Sequence, residues 1–405
     1  MKLISRTYHK LRQRVSSLVA TAVLCVMLIT ACTIQPPLHL VDPEKDADFG
    51  WPEIILDLTV LWEYDLPYDW ESEWYYGWDK VDDDIFGLWA MQYPSAYHIR
   101  RYWTADNPYG RHPIAAHEWT DSTRFRAKYK LGYYDLLAWN DVHTIDGIQS
   151  LNFDEATTTE YVTAYTNQSN NRTMAPHHAP AYNPAYTPGL AFYQPEFLFA
   201  GYYEDLHVTD NPEDYDSITE KVWYKFIDME LAPLTYIYLP QIIIHHNRGR
   251  IDNVDGHGNL TGFARSVNMV SHITSTQDIS VLHSLRMKKH RDYKGEDVDI
   301  IGGRAFTFGV TGLNPYKITR ANQSYQQMMA SKVRNYMEVK MTFNNGFDST
   351  MVFDVTDQVK QRYKGGVLTV HLDVDTVRIP SRSGGSGFDA VVKDFEEITY
   401  PDIEL

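Results

Sequence analysis

Strict alternation of apolar and polar side chains is the feature that most constrains the fold of this chain. From Ile54 to Leu66 every second residue is apolar, and polar residues such as Asp57, Thr59 and Glu63 stand between them. Successive side chains of a β-strand point to opposite faces of the sheet, so a period of two indicates a half-buried strand. The alternation predicts a strand over the whole of this run.

The same pattern returns in the second half of the chain. Residues 337–343 and 351–355 alternate on either side of Asn345-Gly346, which is typical of a β-hairpin. Further strands rich in aromatic and β-branched residues are predicted at 97–103, 133–139, 160–165, 197–203, 222–229, 235–244, 368–374 and 388–395. No segment predicts a helix of more than a few turns. We therefore expect an all-β protein with two tandem antiparallel β-sandwich domains.

Breaks in the pattern suggest how the chain is divided. Residues 32–50 are polar and proline-bearing, which is typical of a tether. A proline recurs every fourth residue from 176 to 188, so residues 167–195 are predicted to form a long loop. The acidic segment 209–214 is the preferred boundary. The expected domains are 51–210, which contains the loop, and 211–405.

The amino terminus has the features of an export signal. Residues 1–14 carry five basic and no acidic side chains, and an apolar run follows up to Ala31. The run is shorter than the about 20 residues of a membrane-spanning helix. Its ending, Leu28-Ile29-Thr30-Ala31-Cys32, resembles a bacterial lipobox, so we expect residues 1–31 to be removed by cleavage between Ala31 and Cys32. An uncleaved anchor and an ordinary secretory signal are the alternatives.

A lipobox implies that Cys32 receives a diacylglycerol on its thiol and a fatty acid such as palmitate on its new amino group. Two or more acyl chains anchor a protein stably, so outer-membrane lipid is the expected partner and the outer membrane, on the cell surface, the expected location. The other cysteine, Cys25, lies within the signal, which leaves no disulfide in the mature chain. The formal net charge of −16 argues against nucleic acid as a partner.

Three short motifs resemble the fimbrillin-related surface lipoproteins of Bacteroidales, a group that includes minor and anchoring fimbrial subunits. They are residues 353–359 (FDVTDQV), 384–391 (GGSGFDAV) and 58–64 (LTVLWEY). The resemblance implies transthyretin-like sandwich domains and a role as a fimbrial anchor, minor or accessory subunit. It also implies contact with other subunits by β-strand addition. Some fimbrillins are matured by an arginine-specific protease, for which Arg100-Arg101 and Arg111 are the candidate sites here.

Aromatic residues are dense between Trp62 and Trp78, where they fill eight of 17 positions. Exposed rings stack on sugar faces, so Trp70, Trp74 and Trp78 are the candidate ligand contacts of an alternative function, surface glycan binding. The competing interpretation is that these rings pack between a sheet and a loop.

Other constellations predict little chemistry. Asp82-Asp83-Asp84 lacks the alternate spacing and glycine turn of a calcium loop, and the same holds for Asp141 and Asp146. In the pairs His177-His178 and His245-His246, neighbouring side chains on an extended backbone diverge, which is unsuited to chelation. No nucleophile-elbow or zinc-protease motif occurs. We expect no enzyme, no cofactor and no metal, although carboxylate pairs for glycoside hydrolysis depend on spatial separation and stay open.

Overall fold

The computed structural model describes residues 51–61, 69–86, 93–104, 113–142, 150–154, 162–169, 191–219, 222–377, 379 and 390–392. Strands predominate, so the all-β prediction is confirmed. The α-helices in the described part of the chain are short: α1 Trp70–Glu73, α2 Lys80–Phe86, α3 Gln323–Ala330 and α4 Thr356–Gln361.

The described strands are numbered in chain order. They are β1 Trp51–Val60, β2 Tyr97–Trp103, β3 Ile114–Thr120, β4 Arg124–Lys128, β5 Gly132–Asn140, β6 Leu151–Asp154, β7 Thr163–Thr166, β8 Phe192–Tyr193, β9 Phe199–Val208, β10 Ser217–Thr219, β11 Val222–Pro233, β12 Tyr236–His245, β13 Ile251–Ala264, β14 Ser266–Asn268, β15 Asp278–Tyr293, β16 Glu296–Gly303, β17 Ala305–Thr307, β18 Tyr336–Phe343, β19 Asp348–Asp354, β20 Gly366–Asp373 and β21 Ala390–Val392.

The first sheet has the strand order β3-β2-β5-β9-β11-β1-β4, and β10 pairs with β11. Its core is formed by the apolar parity of β1, including Ile54, Leu56 and Leu58, packed on Leu136 of β5 and Ile227 of β11. The predicted alternation is therefore confirmed within β1, which ends at Val60. The rest of the predicted strand, residues 62–66, lies outside the described residues.

The second sheet has the order β17-β12-β16-β15-β13-β18-β19-β21, with β20 on β12 and β8 on β15. The predicted hairpin is present as β18 and β19, in the register Met341↔Ser349. Gly346 turns the chain with a φ of 78°, a backbone conformation that favours glycine. One face of β20 is buried in the large core through Leu368, Val370 and Leu372.

A third sheet of three strands, β14-β7-β6, covers the outer face of the first sheet. Leu151 and Ala164 pack there on Leu137 and Trp139 of β5. The first and second sheets also meet directly, because Phe306 of β17 enters the core of the first sheet and stacks on Phe197 at 5.5 Å. The sheets are thus joined by apolar packing.

The structure corrects the prediction that pairing is antiparallel throughout. The pairs β1/β11, β12/β20, β8/β15 and β19/β21 are parallel. Parallel strands cannot be joined by a tight turn, so each pair unites segments that are far apart in the sequence. Alternation along one strand carries no information on the direction of its neighbour.

At the predicted boundary near residue 211 the chain does not change from one sheet to the other. The acidic break forms a 3-10 turn at Pro212–Asp214, capped by Asn211, and the chain then returns to the first sheet as β10 and β11. The change of sheet falls between β11 and β12. The division into domains stays a prediction.

Candidate functional site

Residues 69–86 form a strap that follows the first strand but lies on the second sheet. Trp74, Tyr76 and Phe86 are buried against Leu239 and Ile243 of β12, together with residues of β16 and β20. Ile242 and Ile244, of opposite parity, face the large core. The strap therefore covers the outer face of this sheet, and burial of Phe86 alone contributes roughly 1.5–3 kcal/mol to stability.

The predicted ligand contacts Trp70, Trp74 and Trp78 all lie in the strap. Trp74 is 7% exposed, and its ring lies 5.1 Å from that of Trp78 and 5.3 Å from that of Tyr76. Trp70 and Trp78 are half-buried against the same cluster. These rings are used mainly for packing, and ligand contact through them stays a prediction. The preceding aromatics at 62–68 lie outside the described residues.

A buried carboxylate fixes the strap to β15. Asp82 is fully buried and accepts hydrogen bonds from Lys288 Nζ at 2.7 Å, Arg286 Nη1 at 2.9 Å and the Tyr76 hydroxyl at 2.8 Å. Asp79, directly before α2, forms ion pairs with the same two cations. Burial acts to raise the pKa of Asp79, but the hydrogen bonds from Lys288 and Arg286 hold it well below its usual range. Burial, together with the hydrogen bond to Asp82, raises the pKa of the Tyr76 hydroxyl.

This network shows what the acidic triplet does in the fold. Asp82 points inward to the cations, whereas Asp83 and Asp84 are exposed on α2. Successive helical side chains diverge, so the three carboxylates do not converge on one point. Lys288 and Arg286 supply the positive charge that balances Asp82.

A second set of contacts holds the other end of the strap. Gln241, buried on β12, donates to the Glu73 backbone carbonyl at 2.7 Å and accepts from the Tyr76 backbone N–H at 3.2 Å. Arg362 Nη2 lies 2.6 Å from the Glu73 carboxylate. Burial raises the pKa of Glu73, and Arg362 opposes that rise. The strap is thus bound through both its backbone and its charges.

The free edge of β20 is closed by side chains of α4. Gln358 donates to the Thr369 carbonyl at 2.8 Å and accepts from the Thr369 N–H at 2.9 Å. Arg362 donates to the Val367 carbonyl. The amide of Gln358 therefore makes the two hydrogen bonds that a neighbouring strand would make, a protection that exposed sheet edges need. Gln358 belongs to the 353–359 motif, in which Asp354 accepts from the Thr356 N–H at 2.9 Å.

The first sheet ends in two edge strands, β3 and β4, which differ from each other in their side chains. Within the described ranges, β3 pairs with β2 alone and β4 with β1 alone, and residues 121–123 join them. β4 carries the charged side chains Arg124, Arg126 and Lys128, which discourage edge pairing. β3 instead exposes Ile114 and Trp119.

The candidate protease sites fall in different places. Arg100 and Arg101 lie within β2, between β3 and β5, and Arg101 forms an ion pair with Glu118. Arg100 is buried. Cleavage after either residue would require opening of the sheet. Arg111 lies outside the described residues.

The histidine pair at the end of β12 diverges. His245 lies 3.0 Å from both Glu296 and His371, whereas His246 lies 3.0 Å from Asp373. Burial, aided by His245, lowers the pKa of His371, and the hydrogen bond to Asp373 raises that of His246. His177-His178 and Asp146 lie outside the described residues.

His246, Asp373 and Asp375 place potential ligand atoms within 4.8 Å of one another. Arg250 already pairs with Asp375, however, which supplies the positive charge that a metal would bring. Arg248 lies 3.8 Å from the same carboxylate, so two guanidinium groups of the protein already accompany the two carboxylates of the cluster.

Sequence reasoning missed the partners of the strap. Lys288, Arg286 and Gln241 are polar residues of strands, and no local pattern distinguishes them from solvent-facing ones. Ala31 and Cys32, the predicted cleavage and lipidation residues, lie outside the described residues. Among the helices that are described, none has the length and hydropathy to cross a membrane.

No family model matches the sequence, and no curated protein matches it. Several solved structures are similar. A candidate adhesin from Bacteroides ovatus is 12% identical, with a TM-score of 0.44, over 80% of this chain and 94% of that one. A candidate adhesin from Bacteroides thetaiotaomicron is 8% identical, with a TM-score of 0.42, over 82% and 94%.

The fimbrial anchor protein from Porphyromonas gingivalis is 10% identical, with a TM-score of 0.39, over 79% of this chain and 90% of that one. Two of these neighbours are thus candidate adhesins and one is a fimbrial anchor protein. Each of these TM-scores lies below 0.5, so the likeness carries no conclusion about the residues or the role of this chain.

Proposed function

We propose that this protein is a lipid-anchored structural or adhesion protein of the cell surface that serves as a fimbrial anchor, minor or accessory subunit. It performs no catalysis. Residues 1–31 are the signal peptide, Cys32 carries the lipid, and residues 32–50 tether the fold to the outer membrane. One of the similar structures is the fimbrial anchor protein from Porphyromonas gingivalis, which is in line with this role.

The observation that carries the proposal is the run from Leu28 to Cys32, which precedes a long series of strands that begins at Trp51. Acylation at Cys32 would hold an all-β body at a membrane surface without a spanning helix. A retained lipid suits an anchor or base subunit better than a shaft subunit, since the shaft extends away from the membrane.

The two main cores support a two-sandwich arrangement of transthyretin-like type. The first sheet surrounds one apolar core, and the second sheet surrounds another. In such a fold the sheet edges are the surfaces available to neighbouring subunits. β-Strand addition is therefore proposed at the β3 edge, because the β20 edge is closed by Gln358.

The anchor is tested by metabolic labelling with a palmitate analogue. Cys32→Ser should abolish labelling and release the protein from the membrane fraction, whereas the matched variant Cys25→Ser should be labelled like the wild type. Labelling that persists in Cys32→Ser would show that the anchor is misassigned.

The fimbrial role is tested in cells. Fimbriae isolated from wild-type cells should contain this protein, and a deletion strain should assemble altered or fewer fimbriae. Unchanged assembly together with absence of the protein from purified fimbriae would contradict the role.

A further inference from the structure

β1 lies in the interior of the first sheet, although it is the first described strand of the chain. It pairs with β11 on one side over ten consecutive positions, from Trp51↔Val222 to Val60↔Leu231, and with β4 on the other side. The Leu61 N–H extends the ladder to the Leu231 carbonyl at 3.0 Å. The chain therefore enters the fold along a strand that is hydrogen-bonded on both edges.

The β1/β11 pair is parallel, which decides where its two ends lie. Trp51 begins β1 beside Val222, the first residue of β11, whereas β11 ends at Pro233, beyond the far end of β1. Only two residues then separate β11 from β12 of the second sheet. A tension between Trp51 and the second sheet therefore runs along the whole pair, from one end to the other.

Such a tension loads the pair in shear. A force parallel to the strands stretches all of the inter-strand hydrogen bonds at once, whereas a force across the strands at one end breaks them one after another. The hydrogen bonds of a parallel pair are evenly spaced, so they share the load. With an antiparallel partner, the same tension would enter and leave at the same end and would peel the strands apart.

Side chains also oppose sliding of β1. Ile54, Leu56 and Leu58 are buried in the core of the first sheet. A shift by one residue would turn these apolar side chains to the outer face of the sheet. On that face Glu53 forms an ion pair with Arg126 of β4. The register is thus fixed on both faces of the strand.

The far end of β1 leads to a second attachment. The strap that follows it is held on the second sheet by the hydrogen bond of 2.7 Å from Lys288 to Asp82 and by that of 2.7 Å from Gln241 to the Glu73 carbonyl. Withdrawal of β1 towards its amino terminus is therefore opposed by its neighbouring strands and by the strap.

We propose that β1 and β11 form a mechanical clamp that carries tension between the membrane anchor and the body of the protein. The inference rests on the proposed lipid at Cys32, because a protein held there is pulled through Trp51. The load arises when a fimbrial subunit attached to the fold is drawn away from the cell. The clamp keeps the body folded under that load.

Single-molecule force spectroscopy tests the clamp. The full chain carries Cys25→Ser and is made by cell-free synthesis without membranes, so that the free thiol of Cys32 is the first handle. The second handle is Glu230→Cys, beside the far end of β1, or Tyr224→Cys, beside its beginning, on the same face of β11. Pulling at position 230 shears the pair, and pulling at position 224 peels it. The unfolding force should be at least about two-fold higher for the sheared pair.

Thermal melting verifies that the two handle variants are equally stable, so that a difference in force reflects the direction of pulling. If Tyr224→Cys melts lower, Ser217→Cys, exposed on β10 opposite Tyr224, takes its place. Equal forces in the two directions would overturn the clamp. Palmitate labelling at Cys32 together with equal forces would reject the clamp alone. Absence of labelling together with unequal forces would reject the anchor, and with it the source of the load.

Discussion

Lys288 of β15 donates a hydrogen bond of 2.7 Å to the fully buried carboxylate of Asp82, which lies 206 positions earlier in the chain. The Lys288 ammonium also lies 4.0 Å from the centroid of the Tyr76 ring. One cation therefore binds both the charge and an aromatic ring of the strap. This contact joins the amino-terminal part of the chain to the second sheet.

Removal of Asp82 should destabilise the protein strongly. Asp82→Ala leaves Lys288 and Arg286 with fewer partners in a buried place, and loss of one member of a buried pair costs about 3–5 kcal/mol. Asp83→Ala, in the same helix but exposed, should change the free energy of unfolding by less than about 0.5 kcal/mol. Urea unfolding measures both. Equal midpoints for the two variants would contradict a structural role for the ion pair.

The fit of the strap depends on Gly302. A Cβ atom at this position of β16 would collide with the Tyr76 ring. Gly302→Ala should therefore cost about 1–3 kcal/mol and loosen the strap, so that trypsin cuts the backbone faster after Lys80, whose side chain is exposed. Gly256→Ala, where the added atom meets open space, is the control. Cleavage at Lys80 that is no faster in Gly302→Ala than in Gly256→Ala would argue against the close packing.

Gln358 should prevent association through β20. Gln358→Leu removes both hydrogen bonds to Thr369, destabilises the fold by about 1–3 kcal/mol and leaves a strand edge free to pair with another molecule. Size-exclusion chromatography with light scattering should detect dimers or larger species. Gln361→Leu, on an exposed position of α4, should stay at the mass of the wild type. A monomeric Gln358→Leu variant of normal stability would show that the edge needs no such cover.

Stability should fall in mild acid because of His283. Burial lowers the pKa of His283 to about 4, so between pH 6.5 and 4 the unfolded state binds more protons than the folded state. Its contribution is complete above pH 6.5 and is lost as the pH falls towards 4, with a magnitude on the order of 3 kcal/mol. His283→Gln should flatten this slope in urea unfolding measured across pH.

His290→Gln provides a control of opposite sign. The hydrogen bond to Asp297 raises the pKa of His290, so its contribution is present below pH 6.5 and is lost as the pH rises through that higher value. The variant should therefore keep the acid slope of the wild type. An acid slope that persists in His283→Gln would assign the effect to other groups, such as His272, whose pKa burial lowers to about 4.

Strands that bury one face were predictable. β1, β2, β18 and β20 were found because an apolar core on one side and more polar side chains on the other produce a period of two. The long strands β13 and β15 were missed. β13 contains three glycines and three irregularities of register, two against β18 and one against β15, which interrupt the alternation that sequence reasoning depends on.

The candidate site was predictable only in part. The density of rings near Trp74 was visible in the sequence, but their burial was not, because it depends on Leu239 and Ile243 more than 150 positions later.

The sequence by itself determined the β class and the hairpin at Gly346, since each depends on neighbouring residues and short-range geometry. The lipid at Cys32 stays a prediction. Tertiary structure alone decided that β1 pairs in parallel with β11, that the strap crosses to the second sheet, and that Gln358 closes an edge. Such choices are made by contacts between distant segments. Their free energies come from complementary shape and buried charge, which no local run of residues records.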